Sequence, residues 1–148
     1  DELDLLKNYV DIMSIRMNKL FEVKYEIDDT VLDCTIPKLT LQPLVENSIN
    51  HGISNLEKSL NIKCMIKKLE DKNLILVIVE DNGAGMSQKT IQKILKGEEI
   101  NETSGFGLKS IIQRISIYYK VKDIDDIIKI ESVENEYTKV YLYIPIKR

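Results

Sequence analysis

The feature that most constrains this chain is an apolar run, Leu74 to Val79, which leads directly into Glu80-Asp81-Asn82-Gly83-Ala84-Gly85. The run is short, rich in β-branched residues and followed by turn residues, which is typical of a buried strand. A carboxylate at the exit of such a strand can accept a hydrogen bond from an amino group on a planar ring. The glycines allow the backbone to approach a ligand that a Cβ would exclude. An ordinary turn after a strand fits the same residues, so this segment alone leaves both interpretations open.

The composition fits one globular domain and argues against several functional classes. The 148 residues suffice for a sizeable core, with 43% hydrophobic and 30% charged residues. A net charge of −3 argues against a general nucleic-acid-binding surface, so we expect no nucleic-acid partner. Two distant cysteines and one histidine are too few for a Cys/His metal site. No apolar run reaches membrane-spanning length, and we expect a reduced, cytoplasmic chain.

A second segment, residues 41–52, has the pattern of a helix with one polar face. Asn47, Asn50 and His51 share that face, opposite a face of apolar or small residues, namely Leu41, Leu44, Val45, Ser48 and Ile49. Pro43 is compatible with a helix that begins near Thr40, and it would kink a helix that begins at Pro37. Neutral oxygen ligands on one face would suit Mg²⁺, which keeps several waters and takes further ligands from phosphates. The alternative is a solvated face with a surface histidine.

A third segment, Gly105-Phe106-Gly107-Leu108, opens directly into a helical pattern of apolar residues, namely Leu108, Ile111, Ile112, Ile115, Tyr118 and Tyr119. The start of a helix presents unpaired backbone N–H groups and the positive end of the helix dipole. This arrangement favours a bound phosphate. A glycine-rich hinge is the alternative interpretation.

The remaining pattern predicts an N-terminal helix and several short strands. In the helix one apolar stripe contains Leu6, Tyr9, Val10, Met13, Met17 and Leu20, and a second contains Leu5, Ile12 and Ile15. We expect the first stripe to cover the domain and the second to face something else. Ser87 is expected to cap a further helix. Strands are expected at residues 23–27, 31–36, 62–66, 74–79, 127–132 and 139–146, with a turn at 134–136.

Together the three segments resemble the ATP-binding domain of the GHKL superfamily, which includes gyrase, histidine kinases and MutL. The resemblance is greatest to the LytS/YesM-like branch of sensor histidine kinases. Residues 41–47 with His51-Gly52 are similar to the N box, residues 81–86 to the G1 box, and residues 105–108 with Arg114 to the G2 box. Two further matches are the closing Tyr137-Thr138-Lys139-Val140 and, in the N-terminal helix, Tyr9 and Arg16. The resemblance implies the Bergerat fold: an α/β two-layer sandwich whose mixed, largely antiparallel sheet is covered on one face by helices.

By that resemblance Asn47 would coordinate a Mg²⁺ ion that bridges the phosphates of ATP, and Asp81 would hydrogen-bond the adenine amino group. Residues 86–104 would form a lid over the nucleotide. The residues expected to act in catalysis are Asn47, Glu46 and His51. The residues expected to bind the nucleotide are Asn47, Asn50, His51, Asp81, Gly83, Gly85, Met86, Gly105, Phe106, Gly107, Leu108 and Thr138.

Three positions depart from the family pattern. Asn50 stands where many relatives carry a lysine that could contact phosphate, and Tyr137 replaces a glycine. Pro43 stands where hydrolysing members carry the glutamate that activates water. The resemblance therefore implies a site that holds ATP for transfer and hydrolyses it slowly.

The function implied is the catalytic domain of a two-component sensor histidine kinase, which transfers the ATP γ-phosphoryl group to a histidine outside this chain. Residues 1–21 would be a linker helix from a missing dimerisation and histidine-acceptor domain, and residues 22–148 the ATP-binding domain. We expect a response regulator as the downstream partner, and a full-length homodimer anchored in the cell membrane. The alternatives are a stand-alone serine kinase like the anti-sigma-factor kinases, and a nucleotide-sensing interaction module without catalysis.

Overall fold

The structure is a computed structural model that describes residues 2–17, 20–32, 34, 40–52, 59–96 and 106–146, with His51, Gly52, Phe106 and Gly107 described by their backbone alone. These residues form four helices and five strands. In chain order they are α1 (Glu2–Arg16), β1 (Phe21–Ile27), α2 (Leu41–Gly52), β2 (Leu60–Leu69), β3 (Leu74–Asp81), α3 (Gln88–Leu95), α4 (Phe106–Tyr119), β4 (Ile128–Val133) and β5 (Tyr137–Pro145).

The five strands form one sheet in the order β1-β2-β3-β5-β4. β1 and β2 are parallel, and the other three pairs are antiparallel. The apolar run of β3 lies at the centre, where Val77 is fully buried on one face and Ile78 is only 7% exposed on the other. A central strand can hold apolar residues on both faces because neighbours cover it on both sides. The predicted mixed, largely antiparallel sheet is confirmed.

The helices cover one face of the sheet. α2 packs against β2, β3, α1 and α4, and the side chains between these elements form one core. The opposite face carries polar and aromatic side chains, including an ion pair of Lys63 with Glu26 at 3.1 Å and Lys139 stacked over the Tyr141 ring. The two predicted layers are therefore present.

The N-terminal helix α1 is shorter than its apolar pattern suggested. Leu6 and Val10 belong to the core, but the helix ends at Arg16 and Leu20 is 54% exposed. The carbonyl of Leu20 accepts a hydrogen bond from the Leu60 N–H at 3.2 Å, so the chain has already turned into the sheet there. The second stripe is exposed: Leu5 by 49%, Ile12 by 64% and Ile15 by 75%.

The structure defines the starts of two other helices. α2 begins at Leu41, so Pro43 lies in the first turn, where a proline removes no intrahelical hydrogen bond. α3 is capped by Ser87, whose hydroxyl accepts a hydrogen bond from the Thr90 N–H at 3.1 Å. Within the described ranges no helix has both the length and the apolar character needed to cross a bilayer.

The predicted strand at residues 31–36 is wrong at its start. Asp29–Val31 form a 3₁₀ turn, which is capped by the Asp28 carboxylate through the Thr30 N–H at 3.1 Å. Val31 is buried without pairing to a strand, because this turn places its side chain in the core. Of the rest of that segment, residues 33, 35 and 36 lie outside the described residues.

Candidate functional site

At one end of the sheet, the face that packs against the helices changes from apolar to polar. The register places Asp81 of β3 opposite Thr138 of β5, and Thr138 opposite Ser132 of β4. These three side chains are 2%, 1% and 7% exposed. One step deeper the same face carries Val79, Val140 and Ile130. Buried polar side chains require hydrogen-bond partners. The side chains of Asp81, Thr138 and Ser132, which we call the polar row, must therefore bind other groups.

Ser132 holds this row together through three hydrogen bonds. Its hydroxyl donates to the Tyr137 carbonyl at 2.7 Å and accepts from the Met86 N–H at 2.7 Å. It also lies 2.9 Å from the Thr138 hydroxyl. Because a serine hydroxyl has one proton, which goes to Tyr137, the Thr138 hydroxyl must be the donor in that pair. Thr138 is therefore left with acceptor lone pairs for any other partner.

The turn after β3 is held against the hairpin that joins β4 and β5. Asp81 accepts a hydrogen bond from the Gly83 N–H at 2.9 Å, and the Asn135 N–H donates to the Ala84 carbonyl at 2.6 Å. Gly85 has a φ of +72°, and a Cβ there would collide with the Val133 carbonyl. Gly85 thus has a structural reason to be glycine, since the hairpin approaches its backbone so closely.

Asp81 is a hydrogen-bond acceptor at the end of β3. An ionised carboxylate offers about four lone-pair positions, and one of them accepts the Gly83 hydrogen bond. Asp81 and Thr138 thus both present acceptors in the same buried row. That pair of acceptors is complementary to an amino group and repels a carbonyl oxygen.

Asn47 lies on α2, the helix packed against β3 and α4. Its side chain is 4% exposed, and its Oδ1 atom has no hydrogen-bond partner among the described residues. A buried acceptor without a partner costs about 1–3 kcal/mol, so a cation or a donor from a ligand would stabilise this site. Asn50, three residues later, is exposed.

A metal bound near Asn47 would depend on few protein ligands. In the part of the chain that the structure describes, no group of three or more His, Cys, Asp or Glu side chains could hold a metal ion. Mg²⁺ commonly uses one or two protein oxygens and completes its shell with waters and phosphate oxygens. The orphaned Asn47 oxygen fits that pattern and does not fit a metal caged by protein alone.

Glu46 lies on the side of α2 that is close to α1. Burial, together with the Glu46 charge, raises the pKa of Tyr9 to about 12. Tyr9 is half-buried against the core, so the Glu46 carboxylate lies near the contact between the two helices. Its role in catalysis stays a prediction.

The structure describes only some of the other predicted site residues. Met86 is 4% exposed with its N–H held by Ser132, and Leu108 is fully buried in the core. Gly105 and most of the predicted lid, residues 97–104, lie outside the described residues, as do the side chains of His51 and Phe106, and Gly107 is described by its backbone alone. Contacts of these residues with a nucleotide stay predictions.

The sequence analysis missed Ser132, which organises the polar row, and the hydrogen bond that the Thr40 N–H donates to the Glu2 carboxylate. Ser132 was detectable, because it follows Ile128 and Ile130 at the two-residue spacing of one strand face. A polar residue at the third core position of a strand indicates a buried polar cluster. Glu2 carries no comparable signal, because its partner is 38 residues away in sequence.

A comparison with known families identifies this arrangement. The model for "Histidine kinase-, DNA gyrase B-, and HSP90-like ATPase" matches residues 33–148. The chain belongs to this ATPase family. The predicted GHKL resemblance is confirmed, and membership of the family implies that the chain binds ATP.

Its relatives in this ATPase family include sensor kinases. The chain is 34% identical over 119 residues to the sensor histidine kinase YesM of Bacillus subtilis, covering 80% of this chain and 19% of YesM. It is 38% identical over 118 residues to the sensor protein LytS of Oceanobacillus iheyensis, covering 77% of this chain and 20% of LytS. The chain thus spans about a fifth of the length of these relatives.

Solved structures of family members share the fold. The catalytic domain of the histidine kinase ThkA aligns with a TM-score of 0.66 at 20% identity, covering 98% of this chain and 93% of that domain. The mycobacterial sensor histidine kinase MprB aligns with a TM-score of 0.65 at 10% identity, covering 98% and 94%. The predicted α/β two-layer sandwich is confirmed, and it resembles the fold of histidine kinase catalytic domains.

Proposed function

We propose that this chain is the ATP-binding catalytic part of a sensor histidine kinase, which transfers the γ-phosphoryl group of ATP to a histidine outside the chain. The observation that carries the proposal is the buried, unpaired Oδ1 of Asn47 on a helix that packs against the strand ending in Asp81. A metal ion bound with a nucleotide would supply the partner that the Asn47 oxygen lacks. The similarity to YesM and LytS supports transfer to histidine as the reaction.

At the adenine end, the acceptors of Asp81 and Thr138 would receive the amino group of adenine. Guanine presents a carbonyl oxygen at the equivalent position, which two acceptors repel. The site should therefore prefer ATP to GTP. Met86, whose N–H is held by Ser132, would lie beside the base at the start of the predicted lid.

At the phosphate end, Asn47 would contribute one oxygen ligand to Mg²⁺. The ion would neutralise charge on the phosphates, which is the main requirement of phosphoryl transfer. Exposed Asn50 adds no charge here, so the predicted helix start at residues 105–108 would share the binding of the phosphates.

Transfer rather than hydrolysis follows from Pro43. This residue lies in the first turn of α2, one turn before Asn47, and its side chain cannot accept a proton. A positioned base typically contributes roughly 10²–10⁴-fold to the rate when water is the nucleophile. A neutral imidazole already carries a nucleophilic nitrogen, so it reacts without such a base.

We propose the following parts for the rest of the protein. The acceptor histidine would lie on a helical dimerisation domain to which residues 1–21 connect, and residues 22–148 would form the catalytic domain. The exposed stripe of Leu5, Ile12 and Ile15 supports a contact of α1 with another part of the protein. A response regulator would receive the phosphoryl group. The full-length protein would be a homodimer anchored in the membrane, with this domain in the cytoplasm.

Phosphoryl transfer is tested directly by adding radiolabelled ATP to the chain alone and to a longer protein that includes the upstream helices. We expect an acid-labile, base-stable phosphohistidine on the longer protein, and slow phosphate release from the chain alone. Rapid ATP turnover by the chain alone would indicate an ATPase. If the longer protein binds ATP and is never labelled, a nucleotide-sensing module explains the site better, and label on serine of a second protein would indicate a serine kinase.

The metal assignment is tested by Asn47→Ala. We expect this variant to lose most of the affinity that Mg²⁺ adds to ATP binding and to bind adenosine almost unchanged, measured by titration calorimetry. Asn8→Ala, the same substitution at an exposed position of α1, should change neither value. An equal loss of affinity for both ligands in Asn47→Ala would contradict the metal assignment.

A further inference from the structure

A carboxylate from the first turn of α1 lies at the start of α2. The Oε2 atom of Glu2 accepts hydrogen bonds from the Thr40 N–H at 2.9 Å and the Leu41 N–H at 3.0 Å. Thr40 directly precedes the helix and is 2% exposed, so this contact is not a solvated surface pair. The carboxylate thus occupies the position where a helix leaves its first N–H groups without intrahelical partners.

Glu2 supplies a charge that α2 lacks. The first turn of α2 contains no acidic residue of its own. A negative charge at the N-terminal end of a helix interacts favourably with the helix dipole, and a carboxylate that bonds two backbone N–H groups also fixes their positions. The capping group therefore comes from another helix, and the two helices are tied together at this end.

The contact between the two helices continues beyond this end. Residues of α1 and α2 lie close to one another, and Leu6 of α1, about one turn after Glu2, is fully buried in the core that the two helices share. From Thr40 to Asn47 the helix rises roughly 10 Å, at about 1.5 Å per residue. A displacement of the start of α2 would therefore shift Asn47 relative to the sheet.

We propose that Glu2 is a positioning residue for the nucleotide reaction. By holding the start of α2 it sets the position of the Asn47 oxygen relative to the row of Asp81, Thr138 and Ser132. One nucleotide can then meet the adenine acceptors and the metal ligand together. The inference rests on the proposed function, because it concerns the metal-dependent part of ATP binding.

The test compares Glu2→Ala with Glu2→Gln, which keeps an acceptor oxygen and loses the charge. Titration calorimetry on the whole 148-residue chain measures binding of ATP with Mg²⁺, ATP with EDTA, and adenosine. We expect Glu2→Ala to reduce the affinity gained from Mg²⁺ by roughly 2- to 5-fold, the equivalent of a typical lost helix cap. Adenosine binding should not change, and Glu2→Gln should retain most of the gain. Asp11→Ala removes an exposed carboxylate of the same helix and should match the unmodified chain.

A double-mutant cycle separates positioning from general stability. If Glu2 acts through Asn47, Glu2→Ala should have no further effect on the Mg²⁺-dependent gain once Asn47→Ala is present. Two results would overturn the proposal. One is lower thermal stability of Glu2→Ala with an unchanged affinity gain from Mg²⁺. The other is that Glu2→Ala reduces this affinity gain equally in the unmodified chain and in Asn47→Ala. Should Glu2→Ala not fold, Glu2→Asp, with a shorter reach to Thr40, replaces it in the cycle. If the unmodified chain gains no ATP affinity from Mg²⁺, the metal assignment itself has failed and this inference fails with it.

Discussion

Ser132→Ala removes a single oxygen atom and three hydrogen bonds from the floor of the site. The Met86 N–H loses an acceptor at 2.7 Å in a residue that is 4% exposed. A buried donor without a partner costs about 1–3 kcal/mol. The bonds to Tyr137 and Thr138 each contribute a further ~0.5–1.5 kcal/mol net. We therefore expect the free energy of unfolding to fall by about 2–6 kcal/mol.

A fall of this size is a large part of the 5–15 kcal/mol that typically stabilises a domain. For a chain of this length it corresponds to a melting temperature lower by roughly 4–24 °C, at about 2–4 °C per kcal/mol. Urea denaturation gives the free energy, and calorimetry gives the melting temperature. Affinity for ADP, measured on the folded variant, should also fall because Thr138 and Met86 lose the group that orients them.

Ser116→Ala is the matched control. Its hydroxyl makes one hydrogen bond, to the Val121 carbonyl at 2.9 Å, at the other end of α4. Its expected cost is about 1 kcal/mol, the typical net value of one hydrogen bond. If Ser132→Ala costs no more than Ser116→Ala, the argument that Ser132 organises the site is refuted.

Three further predictions concern the turn and the core. Asp81→Asn keeps an acceptor for the Gly83 N–H and loses the charge. The binding free energy of ADP, measured by calorimetry, should weaken by roughly 1.5–3 kcal/mol. Unchanged ADP affinity would show that Asp81 is not part of the site. Gly85→Ala should lower the free energy of unfolding, measured by urea denaturation, by at least ~1–2 kcal/mol. The reason is that an alanine at φ +72° is strained and its Cβ would collide with the Val133 carbonyl. An unchanged free energy of unfolding would contradict that packing. Burial raises the pKa of the Cys64 thiol from 9.0 to about 12, so the unfolded chain ionises first and stability falls as pH rises from about 9 towards 12. At pH 10 this loss is on the order of 1 kcal/mol relative to neutral pH, and Cys64→Ala should not show it. An identical pH dependence in the variant would refute the burial argument.

Local patterns predicted most of the elements and the turn after β3. The apolar run before Asp81 predicts a buried strand, because apolar side chains on both faces of a strand must be shielded from water. Ser87 and Pro43 mark the first turns of α3 and α2 through hydrogen bonds and steric effects within a few residues. The strand predicted at residues 31–36 failed because a carboxylate two residues before Thr30 caps a turn, a local competitor that hydrophobic spacing does not show.

The sequence by itself determined the three segments from which a nucleotide site is predicted, because the residues of each segment are close in sequence and their chemistry is local. Only the tertiary structure decided how the segments meet. The pairing of Asp81 with Thr138 and Ser132 depends on strand register, and 46 residues separate Met86 from the hydroxyl that holds it. Glu2 reaches the start of α2 across 38 residues for the same reason. Hydrophobic patterning specifies which face of an element is buried, but contacts between distant elements are selected by the packing of the whole core, which no short segment encodes.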